Sequence, residues 1–546
     1  MGRRGRLDLP AVAPIAGPGD AGRDLIALAD ALGARGVAGW SAEEGALAGG
    51  LPRAAVPAVA AARAGVVAGG DPLGEAFGRL RSAAERRARG ATYTPPAIVR
   101  AMLDRAAGHA TPARVVDPGV GSGRFLVAAG RRFPGAALVG VDVDPLAALL
   151  ARAHLAAAGL ADRSRVVLGD FRDLDLPPVD GPTLYLGNPP YVRHHGIEPR
   201  WKAWLARAAR ARGLPARQLA GLHAHFFLAV ALQARPGDFG AFITAAEWLD
   251  VNYGALVRAL LLDHLGGHRL TVVEPAASPF PDAATTAVVA EFAVGTRPPA
   301  IALGRVAALD ATPDPATVRL VPRADLAAEP RWSRLTRPPR RGPAGSIELG
   351  ELCRVHRGQV TGANRVWIAG PHAEGLPARV LRPTVTRARE LFAAGRELAD
   401  PAPLRRVVDL PVDLDELDGP ARAAVDRFLA RARALGVPDG YIAASRRAWW
   451  AVGLRPPAPI LATYMARRPP AFVRNRADAR HLNIAHGLYP REPLDDAALM
   501  ALVAHLANAV HVDDGRTYAG GLTKFEPREM ERLPIPPLDR LRPAGP

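Results

Sequence analysis

The chain has 546 residues, 49% of them hydrophobic, and a net charge of +17 carried almost wholly by arginine, since Lys202 and Lys524 are its only lysines. Such a length argues for two or more domains, and the basic excess favours a polyanionic partner, nucleic acid first. One cysteine, Cys353, excludes an intrachain disulfide framework and a thiolate zinc site, and neither a signal-peptide core nor an apolar run of membrane-spanning length is present, so a cytoplasmic protein without a membrane role is expected.

Residues 1–88 read as a helical N-terminal extension, Ala/Leu-rich and cut by Gly and Pro, with a structural role only. Strands and helices then alternate over 89–295. "ARVVD" (113–117), "ALVGVD" (137–142), "SRVVLGD" (164–170), "TLYLG" (183–187), "GAFITA" (240–245), "RLTVVE" (269–274) and "TAVVAEFAV" (286–294) are the predicted strands. Helices are predicted over 123–133, 144–160 and near 252–265. The second of these carries good punctuation: Asp144 to cap, Pro145 in the first turn and Gly159 at the end. Continuous apolar strands alternating with helices predict an α/β fold, a Rossmann-like, mostly parallel sheet covered on both faces. Residues 296–345, rich in Pro and Arg, read as a linker. Residues 346–546, with short strands, turns and scattered helices, read as a separate mixed α+β domain.

Four groups fall at the carboxyl ends of successive strands, where open α/β sheets bind their ligands. Gly119, Gly121 and Gly123 follow the first strand and let the backbone turn tightly beside a ligand. Their G-x-G-x-G spacing is not the G-x-G-x-x-G of dinucleotide binders, which weakens an NAD(P) reading. Asp142, 21 residues after Gly121, can take both hydroxyls of a ribose, and Asp170-Phe171 can meet the edge and face of an adenine. The fourth group is Asn188-Pro189-Pro190-Tyr191. Two prolines end a strand, because neither has an N–H for the ladder.

That corner suits a planar amine such as adenine N6, whose lone pair is delocalised into its ring. The Asn188 side-chain oxygen and the Pro189 carbonyl can accept its two N–H bonds and relieve developing positive charge. Tyr191 offers a face for a base drawn out of a duplex. Paired histidines, His194-His195 and His223-x-His225, lack a carboxylate or cysteine nearby in sequence to complete a ligand set, so no metal is expected.

"GATYTPPAIVRAML" (90–103), "DPGVGSG" (117–123), "VGVDVDP" (139–145), "GDF" (169–171), "GNPPYV" (187–192) and "HFFLAVALQARPGDFGAFITAAEWL" (225–249) together resemble the gamma-class, TaqI-like adenine-N6 DNA methyltransferases. The resemblance implies S-adenosylmethionine as cofactor. It places Thr92, Tyr93 and Thr94 at the methionine end. It assigns Asp117, the three glycines, Asp142, Val143, Asp170, Phe171 and Asn188 to cofactor binding. Asn188, Pro189, Pro190 and Tyr191 become catalytic, with Phe226 packing on the flipped adenine. Gly119-Val120 stands where many relatives have Ala-Cys, both small.

"GELCRVHRGQVTGANRVWIA" (350–369) and "YAGGLTKFEPREMERLPIP" (518–536) resemble the two ends of a TaqI-like target-recognition domain, with arginine-rich loops between them. The basic segment 193–217 follows the corner and would lie beside double-stranded DNA. The expected function is methylation of adenine N6 at a specific duplex sequence by a monomer, within a restriction–modification or phage-defence system. Cleavage would belong to a separate endonuclease, since no Asp…Glu-x-Lys cluster is found. The rival readings are methylation of a release-factor glutamine or of an RNA base, and a catalytically silent DNA-specificity subunit.

Overall fold

The computed structural model describes residues 20–80, 85, 94–215, 219–274, 286–308, 317–336, 345–466, 468–518 and 522–541. They fall into two compact units, Met1–Pro338 and Pro339–Pro546.

The first unit opens with four helices, α1 (Asp20–Ala31), α2 (Ala42–Ala48), α3 (Val56–Val67) and α4 (Pro72–Leu80). The main elements that follow are α5 (Pro96–His109), β1 (Arg114–Asp117), α6 (Arg124–Arg132), β2 (Ala137–Asp142), α7 (Pro145–Ala157), β3 (Ser164–Leu168) and β4 (Thr183–Gly187). Then come α8 (Pro199–Arg210), α9 (Leu222–Gln233), β5 (Phe239–Ala245), α10 (Ala255–Leu262), β6 (Gly267–Val273), β7 (Ala287–Ala293), β8 (Ala300–Val306) and β9 (Arg319–Pro322).

The strands form one sheet in the order β3-β2-β1-β4-β5-β7-β6-β8-β9. β1 to β5 pair in parallel, while β7 runs antiparallel to both β5 and β6. Alternate residues serve opposite cores. Val115, Leu184, Leu186 and Ile243 pack with α5, α6 and α7, whereas Val116, Tyr185 and Phe242 pack with α9 and α10. Burial on both faces is why these strands are uninterruptedly apolar.

The N-terminal helices are built onto this sheet. The apolar sequence of α7 is explained by burial on two sides. Ala148, Ala151 and Leu155 face the sheet core, and Leu146, Leu149, Leu150 and Ala153 face α1 to α4. In the middle of α7, Arg152 is fully buried. It pairs with Glu44 of α2 at 2.5 Å and donates to the carbonyls of Val37, Ala38, Gly39 and Val166. One guanidinium thus joins the preceding helices to α7 and β3.

The linker expected over 296–345 is corrected by the structure. β8 pairs in parallel with β6, and β9 closes the edge antiparallel to β8. Trp332 is wholly buried, edge-on to Trp248 with ring centroids 6.2 Å apart. Two arginines of this stretch are bonded locally: Arg305 to Glu274, and Arg323 to the carbonyls of Pro298, Leu262 and Gly267.

The second unit is mixed α+β. Its five-stranded sheet is ordered Cys353–Arg357, Ala485–Pro490, Ile460–Thr463, Phe472–Asn475, Glu397–Leu398. Helices Gly419–Ala434 and Asp496–Ala509 supply much of its core. Near its two ends Ile347–Glu348 pairs with Pro534–Ile535, and Glu531 accepts the Val355 N–H at 2.9 Å. Among the described residues no helix is long and apolar enough to cross a membrane.

Removing one member of a fully buried ion pair strands the other. Glu44→Gln is therefore expected to lower the stability of the first unit by about 3–5 kcal/mol in a denaturant titration. A loss below about 1 kcal/mol would show that the carbonyl cage alone satisfies Arg152.

Candidate active site

The topological switch lies between β1 and β4, where the chain leaves one half of the sheet for the other. The loop after β1 and the corner after β4 meet there. A side chain on Gly187 would place its Cβ 2.6 Å from Asp117 Oδ1, so only glycine lets the two strand ends come this close. A Cβ on Gly119 would meet Pro190 Cδ at 3.6 Å, so the corner stands beside the glycine loop.

Gly121 and Gly123 both have left-handed backbones, with φ of 53° and 87°. The turn they permit aims the Gly121 N–H at Asp142 Oδ2 (2.9 Å), while the Asp144 N–H donates to Oδ1 (3.0 Å). Two backbone donors thus fix the Asp142 carboxylate at the end of β2. Val143 beside it is 57% exposed, an apolar face left open at a strand end.

Asp117 is fully buried. Its Oδ1 accepts the Gly119 N–H at 3.2 Å, and its Oδ2 has no hydrogen-bond partner. Burial pushes its carboxyl up to about 8, opposed by the Gly119 hydrogen bond and aided by the Asp142 charge. A buried polar atom without a partner fits a ligand that donates to it.

At the corner, Asn188 Nδ2 donates to Thr94 Oγ1 at 3.1 Å. In this orientation the amide nitrogen, rather than Oδ1, faces the Thr94 hydroxyl. Thr94 is buried, and its carbonyl accepts from Arg124 Nη1 at 2.7 Å, so the Thr-Pro-Pro segment is tied to both the corner and α6. Thr92 and Tyr93 lie outside the described residues. Burial holds the Tyr191 phenol well above its ordinary value, opposed by the Ala245 backbone at the end of β5.

Asp170 grips Arg172 through both oxygens, at 2.8 and 2.6 Å, and Arg172 lies 3.7 Å above the Trp201 ring centroid of α8. Phe171 is 1% exposed and stacks on Phe226, with centroids 6.0 Å apart at 22°. Phe226 is thereby a core residue behind Phe171, in a stretch of α9 where every residue from His223 to Val230 is buried.

A further aromatic, Tyr253, is linked to the corner through Glu247 and His223. Its hydroxyl donates to Glu247 at 3.0 Å, and Glu247 also exerts its charge on Tyr191. His223, whose ring centroid is 6.5 Å from that of Tyr253, follows Leu222, whose N–H donates to the carbonyl of Val192. The signal for Tyr253 was an aromatic just past the fifth strand, ahead of a helix, in "WLDVNYGALVR".

Burial lowers His223 to about 4 and His225 to about 3, so both are neutral; His225 stacks on Trp204. Among the described residues no group of three or more His, Cys, Asp or Glu could hold a metal. Beyond the corner, Arg193, Arg207, Arg210 and Arg212 are exposed, while Trp201, Leu205 and Ala209 seat α8 on the core. Arg217 lies outside the described residues.

The sheet order, and a glycine loop and carboxylate facing an Asn-Pro-Pro-Tyr corner at its switch point, define a Rossmann-like, S-adenosylmethionine-dependent methyltransferase. Residues 343–544 match the model of the C-terminal domain of the type II methyltransferase M.Eco57I. Type II methyltransferase M.XamI of Xanthomonas campestris pv. amaranthicola is 53% identical over 471 residues, 86% of this chain and 88% of that protein. M.AccI of Acinetobacter calcoaceticus is 22% identical over 63% of this chain and 67% of its own. Among solved structures, the type IIL restriction–modification enzyme MmeI in complex with DNA shares the fold, with TM-score 0.56 and 14% identity over 83% of this chain and 69% of that one. The chain belongs to the type II methyltransferase family.

Asp117 gives a pH test of this geometry. Its folded value of about 8 lies above an unfolded carboxylate's about 3.9. The stability linked to its protonated form is therefore complete below the lower value and lost as pH rises through the upper one. From about pH 5 to about pH 8 the unfolding free energy should fall by up to ~1.4 kcal/mol per pH unit from this group, and Asp117→Asn should remove that slope. Parallel stability–pH curves for the two proteins would contradict the burial of the carboxyl.

Proposed function

We propose that this protein transfers a methyl group to the N6 amine of adenine in a specific double-stranded DNA sequence, with the base turned out of the helix, in a restriction–modification setting. The observation that carries the reading is the Asn188 amide, with its nitrogen on the Thr94 hydroxyl, in a corner set beside the glycine loop. Bound S-adenosylmethionine supplies an electrophilic methyl group.

The chain's own residues do the rest. Asp142 takes the ribose hydroxyls and Val143 covers an adenine face. Asp117 Oδ2 accepts from a cationic donor such as the α-ammonium, consistent with its orphaned state. Gly119, Gly121 and Gly123 let the backbone approach the cofactor, and Asp170 and Phe171 bound its adenine side. Asn188 Oδ1 and the Pro189 carbonyl accept the two amine N–H bonds and favour charge developing on nitrogen. Pro190 holds that carbonyl rigid. Tyr191 stacks on the extruded base, and Tyr253, rather than Phe226, is the second aromatic of that pocket.

The second unit is the sequence reader in this proposal, a role supported by its match to the C-terminal domain of a type II methyltransferase. Several of its arginines are engaged internally: Arg474 and Arg476 both pair with Asp496. Arg447 and Arg455 remain exposed for a duplex. The arginines after the corner would meet phosphates, independent of sequence.

Asn188→Ala should cut single-turnover methyl transfer on the order of 10²–10³-fold, because its acceptor matters as charge develops. Cofactor affinity by calorimetry should stay near wild type. Tyr253→Ala should cost about 1–3 kcal/mol in transition-state stabilisation, the worth of one base–aromatic stack. A wild-type rate for Asn188→Ala would show that the corner is not the catalytic group.

A further inference from the structure

The segment ahead of α4, assigned only a structural role from its sequence, reaches into the cofactor loop. Asp71 is buried at the start of α4, 5% exposed, and its Oδ1 accepts the Gly74 N–H at 2.8 Å, capping that helix. Its other oxygen, Oδ2, accepts the Ser122 hydroxyl at 2.6 Å and Arg124 Nε and Nη2, both at 3.1 Å. A Cβ on Gly74 would lie 2.2 Å from Asp71 Oδ2 and 2.6 Å from Ser122 Oγ, so α4 sits against the loop with no room to spare.

Ser122 lies between the two left-handed glycines, 121 and 123. Its carbonyl is 3.0 Å from His154 Nδ1. The same nitrogen lies 3.5 Å from Asp71 Oδ1, burial lowers the ring's value against the pull of that carboxylate, and a nitrogen facing a carbonyl must carry the hydrogen. The loop's serine is thus held by its hydroxyl from Asp71 and by its carbonyl from α7. Arg124, the second partner of Asp71, donates onward to the Thr94 carbonyl, and Thr94 accepts from Asn188.

We propose that Asp71 is a positioning residue for methyl transfer: one carboxylate from the N-terminal helices sets both the cofactor loop, through Ser122, and the Asn188 amide, through Arg124 and Thr94. Two glycines make the loop conformationally permissive, so its bound geometry has to be imposed from outside. The corner branch rests on the role proposed for Asn188. The loop branch rests only on cofactor binding.

The test is Asp71→Asn, which keeps the shape and the accepting oxygen for Gly74 but withdraws the charge from Ser122 and Arg124. S-adenosylmethionine affinity by calorimetry is expected to fall about 10-fold, and single-turnover transfer at saturating cofactor to fall about 10-fold further. Ser122→Ala leaves the helix cap untouched and should reproduce the loss of affinity. In cofactor affinity the double variant should lose scarcely more than either single one, because both act on one bond. A helix cap and nothing more would lower the thermal midpoint while leaving affinity, cofactor-induced stabilisation and rate unchanged, and that result would overturn the inference. Lost affinity with an unchanged rate would overturn the corner branch alone. Wild-type protein that bound no S-adenosylmethionine would overturn the cofactor assignment and this inference with it.

Discussion

Everything at the site depends on the close approach of two strand ends. β1 and β4 are neighbours in the sheet, and their connections leave in opposite directions, so a crevice opens between them. Gly187 against Asp117 leaves no room for a side chain at the floor of that crevice, and Pro190 stands beside Gly119. A ligand held by the first loop is therefore within reach of the second. The prolines of the corner then contribute rigidity: with φ fixed and no N–H, they offer a carbonyl whose direction does not relax.

Rigid positioning of this kind needs support behind it, and the chain supplies it from both directions. Behind the glycine loop stand α7 and the four N-terminal helices, joined through Arg152 and Glu44 at one level and through Asp71, Ser122 and His154 at another. On the far side of the sheet, β8, β9 and Trp332 extend the core that carries α9 and α10. Buried charges of this sort add little net stability compared with apolar packing, but once present they tolerate few alternative arrangements.

The parts of the fold and site that were legible in the sequence are those with a local cause. Unbroken apolar strands, Asp144 capping α7 and the double proline after β4 each leave a mark within a few residues, and the structure has all three. What was not legible required partners far apart in the chain. Asp71 and Ser122 are 51 residues apart, and Glu44 and Arg152 are 108 apart, so neither pairing shows in any window of sequence. Phe226 looked suitable for a base, and the all-round burial of α9, which sets it in the core, shows in no short window of sequence. Pro/Arg-rich composition hid β8 and β9, because arginines bonded to nearby carbonyls have the same letter as arginines in water.

The most direct test of the account is to express the protein in a host free of DNA methylation and map modified bases along the genome by single-molecule sequencing. The arrangement of Thr94, Asn188 and the double proline predicts N6-methyladenine at one short duplex motif, abolished by Asn188→Ala. A modification on another base, or an unmodified genome beside methylated RNA or protein, would contradict it.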